Sequence, residues 1–249
     1  MGEQKLYMIR AEISRARLFQ LGKQLGYPLE RIDTGYLVHT ALRLALGEHA
    51  PQPFSVRPGR GPSMVVLGYA RRDSRALLDV ARAVAEPVAY AAVSPETLLS
   101  KPLPNAWSEG QKLAFEVRFC PIVRKAKAGE HHAAGAEVDV FIDRCWKMGE
   151  GVAVDREEIY RNWLRERFDR SGAAEIDEVQ LTQFKLERLS RRDTGNGRKW
   201  SFRDRPDATV TGTLRVRSPA TFDEFLARGV GRHRAFGFGM ILLRSVVQC

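Results

Sequence analysis

The order in which two hydrophobic periods succeed one another constrains this chain more than any single motif. KLYMIRAEI alternates apolar and polar residues and predicts an opening strand. Asp33-Thr34 then offers a helix cap, and Leu37, Ala41 and Leu44 recur at helical spacing before Gly47, so residues 35–46 predict a helix. Strands follow at Phe54 to Arg57 and at MVVLGYA, separated by a Pro-Gly turn. A second helix, SRALLDVARAVAE, is capped by Ser74 and stops before Pro87, and residues up to about 100 supply a closing strand. The order is strand, helix, strand, strand, helix, strand, which is that of a ferredoxin-like unit.

The same order recurs without sequence repetition. GQKLAFEVRF predicts a strand, and DREEIYRNWLRERF predicts a helix with acids in its first turn and Ile159, Trp163 and Leu164 on one face. Strands are expected near Glu178 to Arg188 and Thr209 to Arg217, then a helix from Ser218-Pro219 through Leu226, and a final strand in AFGFGMILLRSVV. Residues 124–136, containing Gly129, His131 and His132, read as an exposed excursion. The expected fold class is α+β, two tandem ferredoxin-like (RRM-like) domains over residues 1–100 and 111–249, joined by KPLPNAWSEG at 101–110. A chain of 249 residues, 44% hydrophobic, can fill both cores.

Several classes fall away. No apolar run approaches the ~20 residues of a bilayer-spanning helix, so no membrane partner is expected. The N-terminus lacks a secretory pattern, and the odd set Cys120, Cys145 and Cys249 suits a reducing compartment, so the expected location is cytoplasmic. His131-His132, His39, His49 and His233 join no zinc-spaced cluster, and neither a metal nor a cofactor is expected. Forty basic residues against thirty acidic ones leave a formal charge of +10 and favour a polyanionic partner, nucleic acid first. Arginine, whose planar fork suits phosphates and base edges, far outnumbers lysine. Location matters more than the total: Lys185, Arg188, Arg191, Arg192, Arg198, Lys199, Arg203 and Arg205 crowd one stretch, around a Gly-Asn-Gly turn, against Glu187, Asp193 and Asp204. These eight cations are the first candidates for RNA binding; a solvated basic loop is the bland alternative.

Two places carry side chains suited to chemistry. On the helix at 35–46, Tyr36, His39 and Arg43 lie within about 60° of one another, on the face opposite the Leu37, Ala41 and Leu44 stripe. Cutting RNA without metal requires a group to take the proton of a 2′-hydroxyl, a group to protonate the departing 5′-oxygen, and positive charge at the phosphate. Histidine, tyrosine and arginine can divide that work. Near the C-terminus, Gly229, Gly231, Gly237 and Gly239 permit close backbone approach, and Arg232, His233 and Arg234 put positive groups in the same bend. This segment follows a helix and precedes the last strand, so it is not a dinucleotide-binding fingerprint, and it lacks the Lys-Ser/Thr ending of a P-loop.

With these features in view, the sequence resembles the CRISPR RNA-processing endoribonucleases, particularly the CasE family of type I-E Cascade systems. The matching pieces are Tyr-x-x-His within DTGYLVHTALRLAL, EEIYRNWLRERF followed by GAAEI, and GVGRHRAFGFG before a strand. The resemblance implies paired ferredoxin folds that bind a CRISPR repeat stem-loop, cut at its 3′ base without metal, and keep the product beside other Cas subunits of an effector complex. It implies that His39 is the general acid or base and Tyr36 its neighbour that positions or stabilises the reacting groups, with a 2′,3′-cyclic phosphate and a 5′-hydroxyl as product ends. Arg43 is added from helix geometry as a phosphate holder. A longer stretch precedes the Tyr-x-x-His helix than is usual there, Arg232-His233-Arg234 stands where a lysine is common, and FCPIVRKAKA replaces an NPT-like turn. The related type IV CRISPR processing enzyme, in which arginines carry more of the catalysis, is similar in the same respects. A non-cleaving subunit that binds the hairpin is the second reading, and a small-molecule enzyme on a ferredoxin scaffold, for which no cofactor motif is present, the third.

Overall fold

A computed structural model of the protein describes residues 5–149, 151–192 and 200–245. Strands β1 (Tyr7–Ser14), β2 (Phe54–Pro58), β3 (Ser63–Ala70) and β4 (Leu99–Pro102) form an antiparallel sheet in the order β2-β3-β1-β4. That is the ferredoxin-like order. Lys101 and Pro102, expected in the linker, pair instead with Met8 and Tyr7. The alternation of β1 works as anticipated: Ile9, Ala11 and Ile13 are buried on one face, against the helices.

Four helices cover that face, two of them unforeseen. Helix α1 (Arg15–Gln24) leaves β1 directly, capped by the Ser14 hydroxyl, and fills the long stretch ahead of α2 (Thr34–Leu46). Its sequence is mostly polar, and only Leu18, Leu21 and Gly22 are buried, which leaves a weak periodic signal. Helix α2 is capped by Asp33, whose Oδ1 accepts from the Tyr36 amide at 2.7 Å, and ends at Gly47, where φ is 59°. Its buried stripe is Leu37, Val38, Ala41, Leu42, Ala45 and Leu46, while Leu44 is only half-buried. The stripe is wider than expected because α2 packs on its neighbouring helices as well as on the sheet. Helix α3 (Ser74–Val84) takes Asp73, not Ser74, as its cap, with Oδ1 2.8 Å from the Ala76 amide. Pro87, expected only as a stop, opens α4 (Pro87–Val93), because a proline at the first helical position forfeits no intrahelical bond.

The second unit repeats the plan. Strands β5 (Lys112–Phe119), β8 (Ala174–Arg192), β9 (Trp200–Val216) and β10 (Ile241–Arg244) lie in the order β10-β5-β9-β8. Between β5 and the first helix of this unit, β6 (Ile122–Arg124) pairs with β7 (Glu137–Asp139), and α5 (Val140–Met148) follows, so the excursion is closed at its base. Helix α6 (Arg156–Ser171) buries Tyr160, Trp163, Leu164 and Phe168, and α7 (Pro219–Arg228) buries Phe222, Phe225 and Leu226. Strands β8 and β9 run further than their hydrophobic pattern predicts. Lys185 to Arg192 pair with Asp207 to Trp200 in a charged extension that the ladder carries beyond the apolar core. The closing strand is shorter than expected, since residues 234–236 form one 3-10 turn.

Polar bonds fasten one unit to the other. Asp33 caps α2 in the first unit and also reaches β8 of the second: its Oδ2 accepts from the Ser190 amide at 3.1 Å and from the Ser190 hydroxyl at 2.7 Å. The Ser190 hydroxyl lies 3.2 Å from the Asp33 amide in return. Both residues are buried. Burial pushes the Asp33 carboxyl above its ordinary value, against the pull of its bonds to Ser190 and the Tyr36 amide. The buried Tyr69 hydroxyl on β3 donates to the Ile241 carbonyl on β10 at 2.7 Å. Asp33→Ala removes the helix cap and strands the Ser190 amide, so it should lower stability by about 2–4 kcal/mol in chemical denaturation. Asp33→Asn, which keeps an acceptor, should lose less.

Candidate functional site

The first turn of α2 lies directly against the glycine-rich segment between α7 and β10. A Cβ on Gly35 would stand 2.2 Å from the Phe236 carbonyl oxygen, so only glycine permits this approach. The contact turns the next residue, Tyr36, into a cleft of about 1150 Å³ between the two units. Arg191, Ser201, Arg203 and Arg205 of the β8–β9 hairpin form one wall. Arg124, Gly135, Ala136 and Glu137 of the excursion form another, and Gly231, Arg232, His233, Arg234, Ala235 and Phe236 line the rest with Tyr36 and Gln52.

One carboxylate organises the cations. Glu137 lies 3.2 Å from the Arg205 guanidinium, 3.0 Å from Arg232 Nε and 3.0 Å from His233 Nε2. The bond to His233 and the neighbouring guanidiniums hold the Glu137 carboxyl down at about 2. His233 has left-handed backbone, φ 61°, which its bond to Glu137 helps to fix. Arg124, Arg191 and Arg203 line the same cleft with no carboxylate partner among the described residues.

Aromatic rings surround Tyr36. Its centroid lies 5.9 Å from Tyr27, 5.8 Å from Trp200 and 5.6 Å from Phe236, and His233 packs edge-on to Phe236 at 5.6 Å. His39 stands one turn further along α2, half-buried and outside the lining of the cleft, with the exposed Arg43 a turn beyond. Burial, and secondarily the Arg43 charge, lower the His39 pKa and favour its neutral form.

The remaining sequence candidates divide sharply. Gly229, Gly237 and Gly239 are buried, and the close approach they allow is to the protein itself: a Cβ would meet Pro53 at Gly229, Phe54 at Gly237 and the Val230 carbonyl at Gly239. Within this loop, the surface facing the cleft is Gly231 to Phe236. Lys185 pairs with Glu187 at 2.5 Å and Asp207 at 3.6 Å, and Arg188 pairs with Asp204 at 2.9 Å, both outside the cleft lining. Arg192 closes the β8–β9 ladder opposite Trp200, while Arg198 and Lys199 lie outside the described residues. Sequence reasoning missed Glu137, Arg124, Tyr27 and Trp200, which gather only through tertiary contacts; a charged Glu in the otherwise mixed EVD segment offers no local signal. Among the described residues no three His, Cys, Asp or Glu side chains converge as a metal site, and no helix is long and apolar enough to cross a membrane.

The family model for CRISPR associated protein matches residues 6–245. The chain belongs to this family. No curated protein sequence matches it closely. Among solved structures, the CRISPR endoribonuclease Cse3 bound to 19-nucleotide RNA aligns at 20% identity over 96% of this chain and 99% of that one, with TM-score 0.61. The CRISPR-associated protein Cas6e from Escherichia coli K-12 aligns at 17% identity over 96% and 100%, with TM-score 0.56. A chain of a CRISPR RNA-guided surveillance complex aligns at 11% identity over 96% and 100%, with TM-score 0.53. At these identities the likeness is one of fold, the paired ferredoxin-like architecture included.

The depressed Glu137 carboxyl sets a pH dependence. Its ion pairs stabilise the folded state above the ordinary glutamate value of 4.5 and are lost as pH falls towards about 2. Glu137→Gln should therefore be less stable than wild type at pH 7, and the difference should close between pH 4.5 and 2 in denaturant titrations.

Proposed function

We propose that the protein is a cytoplasmic endoribonuclease that cleaves CRISPR precursor RNA at the base of a repeat hairpin, without metal, and stays bound to the mature RNA beside other Cas subunits of an effector complex. The observation that carries this reading is the arginine-lined cleft in which Tyr36 of the first unit faces the Arg232-His233-Arg234 loop of the second. Residues 1–100 then supply the catalytic helix, residues 111–249 supply most of the basic surface, and the chain that follows the end of β4 at Pro102 joins them. Membership of the CRISPR-associated family and the RNA held by a solved protein of similar fold support it.

The reaction is an internal transesterification. The 2′-oxygen forms a bond to phosphorus as the bond from phosphorus to the 5′-oxygen breaks, leaving a 2′,3′-cyclic phosphate and a 5′-hydroxyl. Neutral His39 is suited to take the 2′-proton, while the departing 5′-oxygen takes a proton from water; RNA seated on Tyr36 reaches His39 along the same helix face, three residues on. Tyr36, packed among three other rings, positions the ribose or supports the developing charge. Arg43 and the loop cations neutralise the phosphate as negative charge grows. Arg124, Arg191 and Arg203 contact backbone phosphates of the stem, which fix its position without reading its sequence.

His39→Ala should slow single-turnover cleavage of a repeat hairpin in EDTA by about 10²–10⁴-fold while leaving affinity within a few-fold. An unchanged rate would move the catalyst to another group. The position of His39 outside the cleft lining favours one alternative, a hairpin-binding subunit that does not cut. Repeat RNA that stays intact with binding-competent wild-type protein would establish it. Arg191→Ala with Arg203→Ala should weaken binding across hairpin sequences alike and reduce the slope of log affinity against log salt by about 0.9 per lost contact. An unaltered slope would make this wall a solvated surface.

A further inference from the structure

A second, smaller cavity of about 290 Å³ adjoins the cleft and shares Gly231 and Arg234 with it. Arg167 and Arg170 of α6, Arg228 of α7 and Arg234 of the loop converge on it. Arg167 is held rigidly: its guanidinium stacks 3.7 Å from the Trp163 ring centroid and donates to the Trp163 carbonyl at 3.3 Å. Burial, and secondarily the nearby Arg170 charge, lower its pKa to about 10. Arg234 donates to the Arg228 carbonyl, which ties the loop to the end of α7. Glu166 pairs with Arg170 at 3.2 Å and Arg167 at 3.6 Å and is the one carboxylate paired with these four among the described residues.

Helix chemistry explains part of this arrangement. Arg170 and Arg228 occupy the last turns of α6 and α7, where cations offset the negative helix ends. It does not explain why four guanidiniums from three elements line one concave surface with a single acid beside them. Such a site lowers its own electrostatic cost by taking an anion, and a phosphodiester fits the arginine forks.

We propose that this cavity binds a backbone phosphate of the single-stranded RNA that flanks the hairpin, beyond loop residues 231–234 from the cleft that receives the hairpin. The assignment rests on the function proposed above, because continuity with that cleft identifies the phosphate as RNA. Residues Gly231 and Arg234 belong to both surfaces, so a strand leaving the hairpin base crosses the loop and places its next phosphates among Arg167, Arg170 and Arg228.

The test compares a bare repeat hairpin with hairpins extended by single strands at the 5′ or the 3′ side, each carrying 2′-deoxy nucleotides at the hairpin base to block cutting. Wild type should bind one extended RNA more tightly than the bare hairpin. Arg170→Ala with Arg228→Ala, both exposed side chains, should lower affinity for that RNA about three- to tenfold and reduce its salt slope by about 0.7 per contact, as for single strands. Binding of the bare hairpin should stay within twofold, and an unchanged melting temperature excludes misfolding. Equal wild-type affinity for bare and extended hairpins overturns the proposal while leaving the function intact, as does equal weakening of all three RNAs by the double variant. Failure of wild type to bind any hairpin overturns both.

Discussion

The buried contact between Asp33 and Ser190 is the constraint on which the cleft depends. A helix N-terminus needs an acceptor, and the β8 strand needs partners where its ladder leaves the apolar core. One carboxylate answers both, taking the Tyr36 amide within α2 and the Ser190 amide and hydroxyl across the interface. Because the group is buried, losing any of these bonds leaves an unsatisfied polar atom with no water to replace it. The start of α2 is thus held against the hairpin, Gly35 against Phe236, and Tyr36 at the boundary between the units.

Electrostatics then divide the surface more finely than the total charge suggests. Many of the forty basic residues are neutralised locally: Arg215 and Arg217 pair with acids on β8, Arg118 with Asp207, and Arg188 with Asp204. In the cleft, Glu137 gives up some positive potential but fixes Arg205, Arg232 and His233 in one arrangement before any ligand arrives. Arg124, Arg191 and Arg203 line the cleft with no carboxylate partner among the described residues. The carboxylate orders the loop while the arginines without an acid partner keep their charge, so preorganisation and positive potential reside in different side chains.

The glycines of GVGRHRAFGFG separate two roles that one motif seemed to combine. Gly229 and Gly239 meet across the neck of the loop, where the Val230 amide donates to the Gly239 carbonyl at 2.9 Å, and neither has room for a Cβ. Their small size serves the protein's own packing. The cleft-facing portion between them presents Arg232, His233 and Arg234, and its second face closes the smaller arginine cavity.

What the sequence determined by itself was the repeated strand and helix order, the caps and stops of its clearest helices, and the pairing of Tyr36 and His39 on one helix face. Those follow from periods of two and 3.6 and from short-range capping, all properties of neighbouring residues. It left α1 and α4 unread, because a mostly polar helix and a helix opened by proline carry weak or misleading local signals. Tertiary structure alone decided that Asp33 would meet a serine 157 residues away, that Glu137 would collect two guanidiniums and a histidine, and that Lys185 and Arg188 would be paired while Arg191 and Arg203 stayed open to the cleft. Such outcomes depend on which distant strands and loops the two cores bring into contact, and side-chain spacing along the chain has no bearing on that distance.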